Sequence, residues 1–282
     1  MTDPTGLPPA PLRLPPVPME LPPAMVRRAR EFRGTPAPAR AAATVVLLRP
    51  QDTTFEVYVL KRATTMVFGG VYAFPGGGVD PSDRPETVRT DWPQRLGIPD
   101  DRARAVVGAA ARELFEEAGV LLAGPCTEPA RPGDGGDAIV GAVDTAEWEA
   151  DRAAVQARAL TMTELLARRG LRLRDDLLFA WARWITPEFE PKRFDTWFFV
   201  ALLPQAQAAR DVSGEADHAT WVSPAAAEEL AMLPPTRSML NDLAAYERIA
   251  EVVAASGRRD AATPVMPRVE LTPDGGATMR VT

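Results

Sequence analysis

Arg112-Glu113-Leu114-Phe115-Glu116-Glu117-Ala118-Gly119-Val120 decides how the chain is read. In a helix, Glu113, Glu116 and Glu117 stand at i, i+3 and i+4 and project from one face. Arg112 precedes Glu116 by one helical turn and can hold that carboxylate in orientation. Ala111, Leu114 and Ala118 fall on another face, suited to packing against a core, and Gly119 suits the position just past a helix C-terminus. Carboxylates this close repel one another. A divalent cation removes that repulsion, and oxygen ligands favour Mg²⁺ or Mn²⁺. The same E-x-x-E-E spacing also describes an acidic, solvated helix face, so the choice depends on what lies upstream.

Upstream, Phe74-Pro75-Gly76-Gly77-Gly78-Val79-Asp80 is a glycine run that lets backbone approach a ligand closely, and it leads into two acids, Asp80 and Asp83. Together these stretches resemble the Nudix hydrolases. The box of that family is a glycine, five residues, an acid, seven residues, then R-E-U-x-E-E-x-G-U, with U aliphatic. Gly77 fits the opening glycine, Asp83 the first acid in place of the usual Glu, and Arg112 to Val120 every fixed position of the second half. The gap from Asp83 to Arg112 is far longer than the family's seven residues. The box is therefore interrupted, as in the branch resembling the peroxisomal coenzyme A diphosphatases and their actinobacterial relatives.

The resemblance implies an α/β fold, a Nudix-like α/β/α sandwich with a mixed, curved sheet and a helical insertion. It implies hydrolysis of a diphosphate linkage in a nucleoside diphosphate joined to another group, with Mg²⁺ or Mn²⁺ as cofactor. Glu113, Glu116, Glu117 and a carbonyl at Gly77 are the implied cation ligands. Glu113, Glu116 and Arg112 form the catalytic set, with Glu113 acting as ligand or base.

On the substrate side, Arg62-Ala63, Gly70 and Phe74-Pro75-Gly76-Gly77 resemble the signature of coenzyme A-cleaving members. That signature is an arginine followed by Ser or Ala, a second arginine, a glycine, then F-P-G-G. Met66 stands near the second arginine's place. Coenzyme A or an acyl-CoA, cut to 3′,5′-ADP and a phosphopantetheine, is the leading substrate. ADP-ribose and dinucleotide polyphosphates are the alternatives among enzymes. A Nudix-fold ligand-binding regulator without turnover is the alternative class, although such modules lose box carboxylates and all three remain here.

The substrate-binding set is Arg62, Gly76, Gly77, Arg193 and Glu215. Each charged member has a plainer reading. Lys61 and Arg62 are equally read as solvated strand-end charges, and Glu215, backed by Asp217, is either an extra acid from outside the box or a surface-loop acid. Arg183, Lys192 and Arg193 are candidate phosphate contacts. Trp181 and Trp184 either stack on a base or belong to the core, and Asp195 reads as a structural partner for a nearby arginine.

Composition narrows the function classes. Of 282 residues 46% are hydrophobic, enough for a sizeable core, and the net charge of −6 offers no global field for nucleic acid. Cys126 is the single cysteine, which excludes an intrachain disulfide framework and suits a reducing cytoplasm. His218 is the single histidine, which removes a His-based zinc site and a Ser-His-Asp triad. No apolar run reaches membrane-span length, and the N-terminus shows no secretory signal. The expected partner is a nucleotide-containing small molecule, with neither nucleic acid nor membrane; monomer and homodimer both remain open.

In chain order, residues 1–23 read as a Pro-rich, disordered tail, 24–255 as the Nudix domain, and 256–282 as an irregular tail. Insertions are expected at about 84–104 and 124–170. Ala42 to Leu48 and Phe55 to Leu60 predict a hairpin turning through Pro50, Gln51 and Asp52. Asp100-Asp101 predict a cap for the carboxylate helix, Thr145 to Arg169 one helix stopped by Gly170, and Pro235 to Ala255 a terminal helix. Residues 177–185 and 194–203 read as strands, and residues 268–271 as an edge strand.

Overall fold

In the computed structural model, residues 19–21, 23–64, 69–126, 138–212, 214, 216–273 and 276–280 are described. The chain begins with β1 (Met19–Glu20) and a short basic helix, α1 (Pro23–Glu31). The aliphatic runs then form β2 (Ala39–Gln51) and β3 (Thr54–Arg62), followed by the short β4 (Tyr72–Ala73) and β5 (Gly76–Gly78). Next come α2 (Trp92–Leu96), α3 (Asp100–Ala118), β6 (Ala123–Pro125), α4 (Ala146–Gln156), α5 (Met162–Arg168) and β7 (Leu171–Leu173). The remainder is β8 (Leu178–Ile185), β9 (Arg193–Leu202), β10 (Ala216–Val222), α6 (Pro234–Leu243), α7 (Ile249–Ser256), β11 (Arg268–Leu271) and β12 (Ala277–Arg280).

The main sheet runs β10-β3-β2-β9-β8, with β4 paired to β3 and β5 to β2. It is mixed, because β2 and β9 are parallel while the other pairs are antiparallel. Side chains alternate along each strand, so successive residues feed opposite layers. Val45, Leu47 and Phe199 pack under α3 against Val107 and Leu114, whereas Val46, Leu48 and Val200 pack against Met239 and Leu243 of α6 and Val252 of α7. This is the expected α/β/α arrangement. Each fully buried aliphatic side chain here contributes about 1.5–3 kcal/mol of transfer free energy.

One feature of the sheet positions the glycine run. β2 and β3 pair only near their turn, Leu48–Gln51 against Thr54–Val57. Beyond that they separate, and β4 and β5 fill the fork, with Gly76, Gly77 and Gly78 opposite Thr44, Ala43 and Ala42. The fork is closed by Val45 N–H donating to the Pro75 carbonyl at 2.8 Å and Arg62 N–H to that of Val71 at 3.0 Å. A Cβ at Gly76 would lie 2.6 Å from the Ala43 carbonyl oxygen, so this strand passes too close for a side chain.

Several local expectations are corrected. The hairpin turns through Asp52 and Thr53 alone, with Asp52 in the left-handed region at φ 49°; Pro50 stays in the strand opposite Phe55. α3 begins at Asp100 behind Pro99, so Asp100 and Asp101 lie in its first turn, where they complement the helix dipole rather than cap it. The single helix expected over Thr145 to Arg169 is two helices, α4 and α5, separated by residues 157–161. The second start is encoded by a capping box, Thr161 accepting from Glu164 N–H while the Glu164 side chain accepts from Thr161 N–H. Gly170, at φ 64°, ends the pair as expected.

The terminal helix is likewise two, α6 and α7. Buried Asp242, near the end of α6, accepts from Trp181 Nε1 at 2.8 Å and pairs with Arg259 at 2.7 Å. Residues 268–271 form the expected strand, but it pairs with β12, and β12 pairs in turn with β1 in a three-stranded sheet joining the two ends of the described chain. The Pro-rich stretch up to residue 18 lies outside the described residues. The 84–104 insertion contains one helical turn, α2, anchored by buried Trp92, whose Nε1 donates to Asp175 at 2.6 Å. No described helix is long and apolar enough to cross a membrane.

Candidate active site

α3 presents its carboxylates to the glycine strand β5. Gly119, left-handed at φ 64°, ends the helix and donates its N–H to the Leu114 and Phe115 carbonyls, which fixes where the carboxylate turn stops. Gly76 N–H donates to Glu117 Oε2 at 2.9 Å. A Cβ on Gly77 would sit 2.5 Å from Glu113 Oε1, so the absence of a side chain there is what admits the Glu113 carboxylate.

Arg112 is the hub. It is 1% exposed, yet every arm of its guanidinium has an acceptor. Nε and Nη2 grip the Asp83 carboxylate at 2.7 and 2.9 Å, Nη1 reaches Glu113 Oε1 at 2.7 Å and Glu116 Oε1 at 3.2 Å, and Nη2 also donates to the Gly78 carbonyl at 2.9 Å. The planar fork of arginine suits such bidentate pairing. The two halves of the interrupted box are thereby joined in space, Asp83 to Arg112. Asp83 Oδ2 also accepts from Asp80 N–H at 2.8 Å, and Asp80 Oδ1 accepts from Ser82 N–H and Oγ at 2.9 and 2.7 Å. The Ser82 hydrogen bonds hold the Asp80 carboxyl below the usual carboxylate range.

The buried charges act on one another here. Burial pushes the Glu113 carboxyl up to about 7; the Arg112 charge opposes this and the Glu116 charge adds to it. For Arg112, burial disfavours the charge, but its hydrogen bonds with Asp83 and the charges of Glu113, Asp83 and Glu116 outweigh burial and hold the guanidinium protonated beyond its ordinary range. On the sheet side, the buried Tyr58 hydroxyl has no hydrogen-bond partner among the described residues. Burial, with the charges of Asp211 and Glu117, raises its pKa.

The insertion contributes residues that the box pattern did not reveal. Arg152 on α4 donates to the Glu116 carbonyl at 3.0 Å and to Glu149 at 3.0 Å, and Glu149 also takes Arg210 at 2.7 Å. These bonds dock α4 on the C-terminal turn of α3. Arg158, in the break before α5, has φ 60° and donates to Glu116 Oε1 and, at 3.1 Å, to the Val155 carbonyl; its Nε lies 3.8 Å from Asp80 Oδ2. No box motif points to Arg158. The only local signal was the Thr161–Glu164 capping box, which implies a helix start and hence a break before it.

Other expected site residues are placed elsewhere. Arg193 donates to the Thr186 and Ala37 carbonyls at 3.0 and 2.8 Å, and Arg183 grips Asp195 through two bonds of 2.8 Å. Asp195 is thus the structural partner expected, and Arg183 and Arg193, candidate phosphate contacts, are engaged with protein groups. Arg62 closes β3; its Nε is buried without a hydrogen-bond partner among the described residues. Trp181 and Trp184 are core residues at 1% and 2% exposure, which settles their two readings against base stacking. Met66 and Glu215 lie outside the described residues.

The donor chemistry suits a hard divalent cation: Glu113 fills a backbone cradle at Gly77 that a Cβ would occupy, Glu117 takes the Gly76 N–H, and Glu116 lies on the same helix one residue before Glu117. As the side chains stand, no three Asp, Glu, His or Cys groups among the described residues converge to enclose an ion. The reason is visible in their bonds. Glu116 is turned to Arg112 and Arg158, and Glu117 to the Gly76 N–H.

Known proteins share this fold. The chain is similar to the NUDIX hydrolase from Alicyclobacillus acidocaldarius, with TM-score 0.58 and 28% identity, over 77% of this chain and 96% of that one. Sheet, carboxylate helix and glycine strand define the Nudix class. Within it, the family described as the NUDT19 Nudix domain matches residues 88–233, from the insertion before α3 to the residue before α6, and the chain belongs to that family. Acyl-coenzyme A diphosphatase NUDT19 of Homo sapiens is 29% identical over 252 residues, covering 70% of this chain and 65% of its own. A nudix relative from Caenorhabditis elegans is 30% identical over 186 residues, covering 66% of this chain and 52% of its own. The chain thus spans between 52% and 65% of the length of these curated relatives.

Proposed function

We propose that the chain hydrolyses a diphosphate linkage in a nucleoside diphosphate joined to a second group, with coenzyme A or an acyl-CoA as substrate and 3′,5′-ADP and a phosphopantetheine as products. The observation that carries this reading is the Arg112 hub, which brings Asp83, Glu113, Glu116 and the Gly78 carbonyl together across the interrupted box. The coenzyme A preference is supported by the name of the human relative and by the partial Arg62-Ala63 and Phe74-Pro75-Gly76-Gly77 signature.

Glu113, Glu116 and Glu117, with the Gly77 backbone, would hold Mg²⁺ or Mn²⁺, which when bound supplies neutralisation of the diphosphate charge and a more acidic water. Water adds to one phosphorus, the bond from that phosphorus to the bridging oxygen breaks, and the proton of the water passes to a carboxylate of the box. Arg112 holds Glu113 against the glycine strand and keeps Glu116 in orientation through its own hydrogen bonds. β5, locked in its fork between β2 and β3, gives the site a rigid wall.

The test is turnover with Mg²⁺ or Mn²⁺ on CoA, an acyl-CoA, ADP-ribose, NADH and a diadenosine polyphosphate. Release of 3′,5′-ADP from the CoA compounds is expected, and replacing Arg62 should then raise KM more for CoA than for ADP-ribose. Preference for ADP-ribose or dinucleotides overturns the substrate assignment. Silence on every substrate, with metal shown to bind, overturns hydrolysis in favour of a ligand-binding regulator.

A further inference from the structure

Arg158 is built differently from the other arginine on Glu116. Arg112 is enclosed, with its side chain 2% exposed, whereas the Arg158 side chain is 43% exposed and reaches Glu116 from the break between α4 and α5. Both donate to the same Glu116 oxygen. Glu116 therefore has an internal partner already, and Arg158 brings a second positive charge to the mouth of the site, near Asp80 as well.

Its backbone adds a second observation. Arg158 lies at φ 60°, a conformation that non-glycine residues rarely adopt and that glycine adopts freely. Such strain persists where surrounding structure holds it and is concentrated at functional sites. The flanks hold it here, Arg158 N–H donating to the Val155 carbonyl at 3.0 Å and Arg152 fastening α4 to the Glu116 carbonyl at 3.0 Å. The backbone of the break is thus pinned beside the carboxylates, and only the side chain needs to turn.

We propose that Arg158 is a transferable counter-charge, pairing with Glu116 and Asp80 in the cation-free protein and turning to the substrate's diphosphate once cations hold the carboxylates. The inference rests on the hydrolase reading and deepens it. The Arg158 side of the pair is 43% exposed, so solvent screens it, and a divalent cation at the buried Glu116 carboxylate competes with it effectively. The released guanidinium fork matches phosphate oxygens, and its pinned backbone keeps it beside the carboxylates. Arg158 therefore neutralises whichever anion, carboxylate or phosphate, is left without a cation. That makes it a substrate-positioning residue contributed by the insertion rather than by the box.

The experiment compares the full chain with Arg158→Gly and Arg158→Lys. Glycine relieves the backbone strain, so thermal stability should hold or rise, which separates folding from binding. Free Mn²⁺ is followed by electron paramagnetic resonance without substrate, and adenosine 5′-(α,β-methylene)diphosphate is then titrated at saturating Mn²⁺. The glycine variant should bind Mn²⁺ about two- to fivefold more tightly, the gain from removing a competing exposed pair. It should bind the diphosphate probe about tenfold more weakly, with lysine intermediate. Unchanged Mn²⁺ affinity overturns the counter-charge role, and unchanged probe affinity overturns the transfer to diphosphate. A wild-type chain that binds no Mn²⁺ overturns the hydrolase reading itself, and this inference with it.

Discussion

Asp83→Asn probes the contact that closes the interrupted box. Asp83 and Arg112 are 2% and 1% exposed and share two hydrogen bonds of 2.7 and 2.9 Å, so little solvent screens them. Removing one partner of a buried pair costs about 3–5 kcal/mol, because the other charge stays buried. Arg112 keeps Glu113, Glu116 and the Gly78 carbonyl as acceptors, which places the expected loss near the lower end, about 3 kcal/mol. At roughly 2–4 °C per kcal/mol for a domain of this size, Tm should fall by about 6–12 °C. Urea and thermal unfolding would measure it, with a double-mutant cycle through Arg112→Met isolating the pair from the other contacts of each residue. Metal-dependent turnover should fall in parallel, because Arg112 then orients Glu113 and Glu116 less firmly. A loss under about 1 kcal/mol, typical of a surface pair, would refute the claim that this contact ties the two halves together.

Two further perturbations address the site more locally. Gly77→Ala should leave the sheet intact but push the Glu113 carboxylate from its place, since the new Cβ starts 2.5 Å from Oε1; Mn²⁺ affinity should drop about tenfold, and calorimetry would read it. Glu113, raised to about 7 in the folded state, holds a proton that the unfolded chain releases near pH 4.5. Its contribution to stability is therefore fully present below the unfolded value and is lost as pH rises through about 7. Unfolding of the metal-free protein from pH 5 to 8 should show this decline in wild type and lack that component in Glu113→Gln. By the same linkage, cation binding at Glu113 should release a proton and tighten with pH across that window.

The box helix was legible because its information is local: carboxylates at i, i+3 and i+4, an arginine one turn before Glu116, and a glycine at the left-handed C-cap. The glycine run was legible as a close approach of backbone. Its seat in the fork between β2 and β3 was not, because strand separation depends on long-range pairing. The break carrying Arg158 was hidden by Ala, Arg and Leu, which favour helix on both sides of it; only the Thr161–Glu164 box marks the restart. The partners of Arg183 and Arg193 were not legible for a related reason. A charge in sequence does not name its partner, and here the partners are Asp195 and three backbone carbonyls. The small sheet joining Met19 to Met279 pairs residues from the two ends of the chain, which no local pattern encodes.

Metal-dependent cleavage of a diphosphate is proposed to depend on the α3 carboxylates. Turnover of CoA with Mn²⁺, measured side by side for wild type, Glu116→Gln and Glu117→Gln with unfolding curves as a control on the fold, tests it most directly. Both variants should stay folded and lose turnover by several orders of magnitude. Full activity in either folded variant would contradict it.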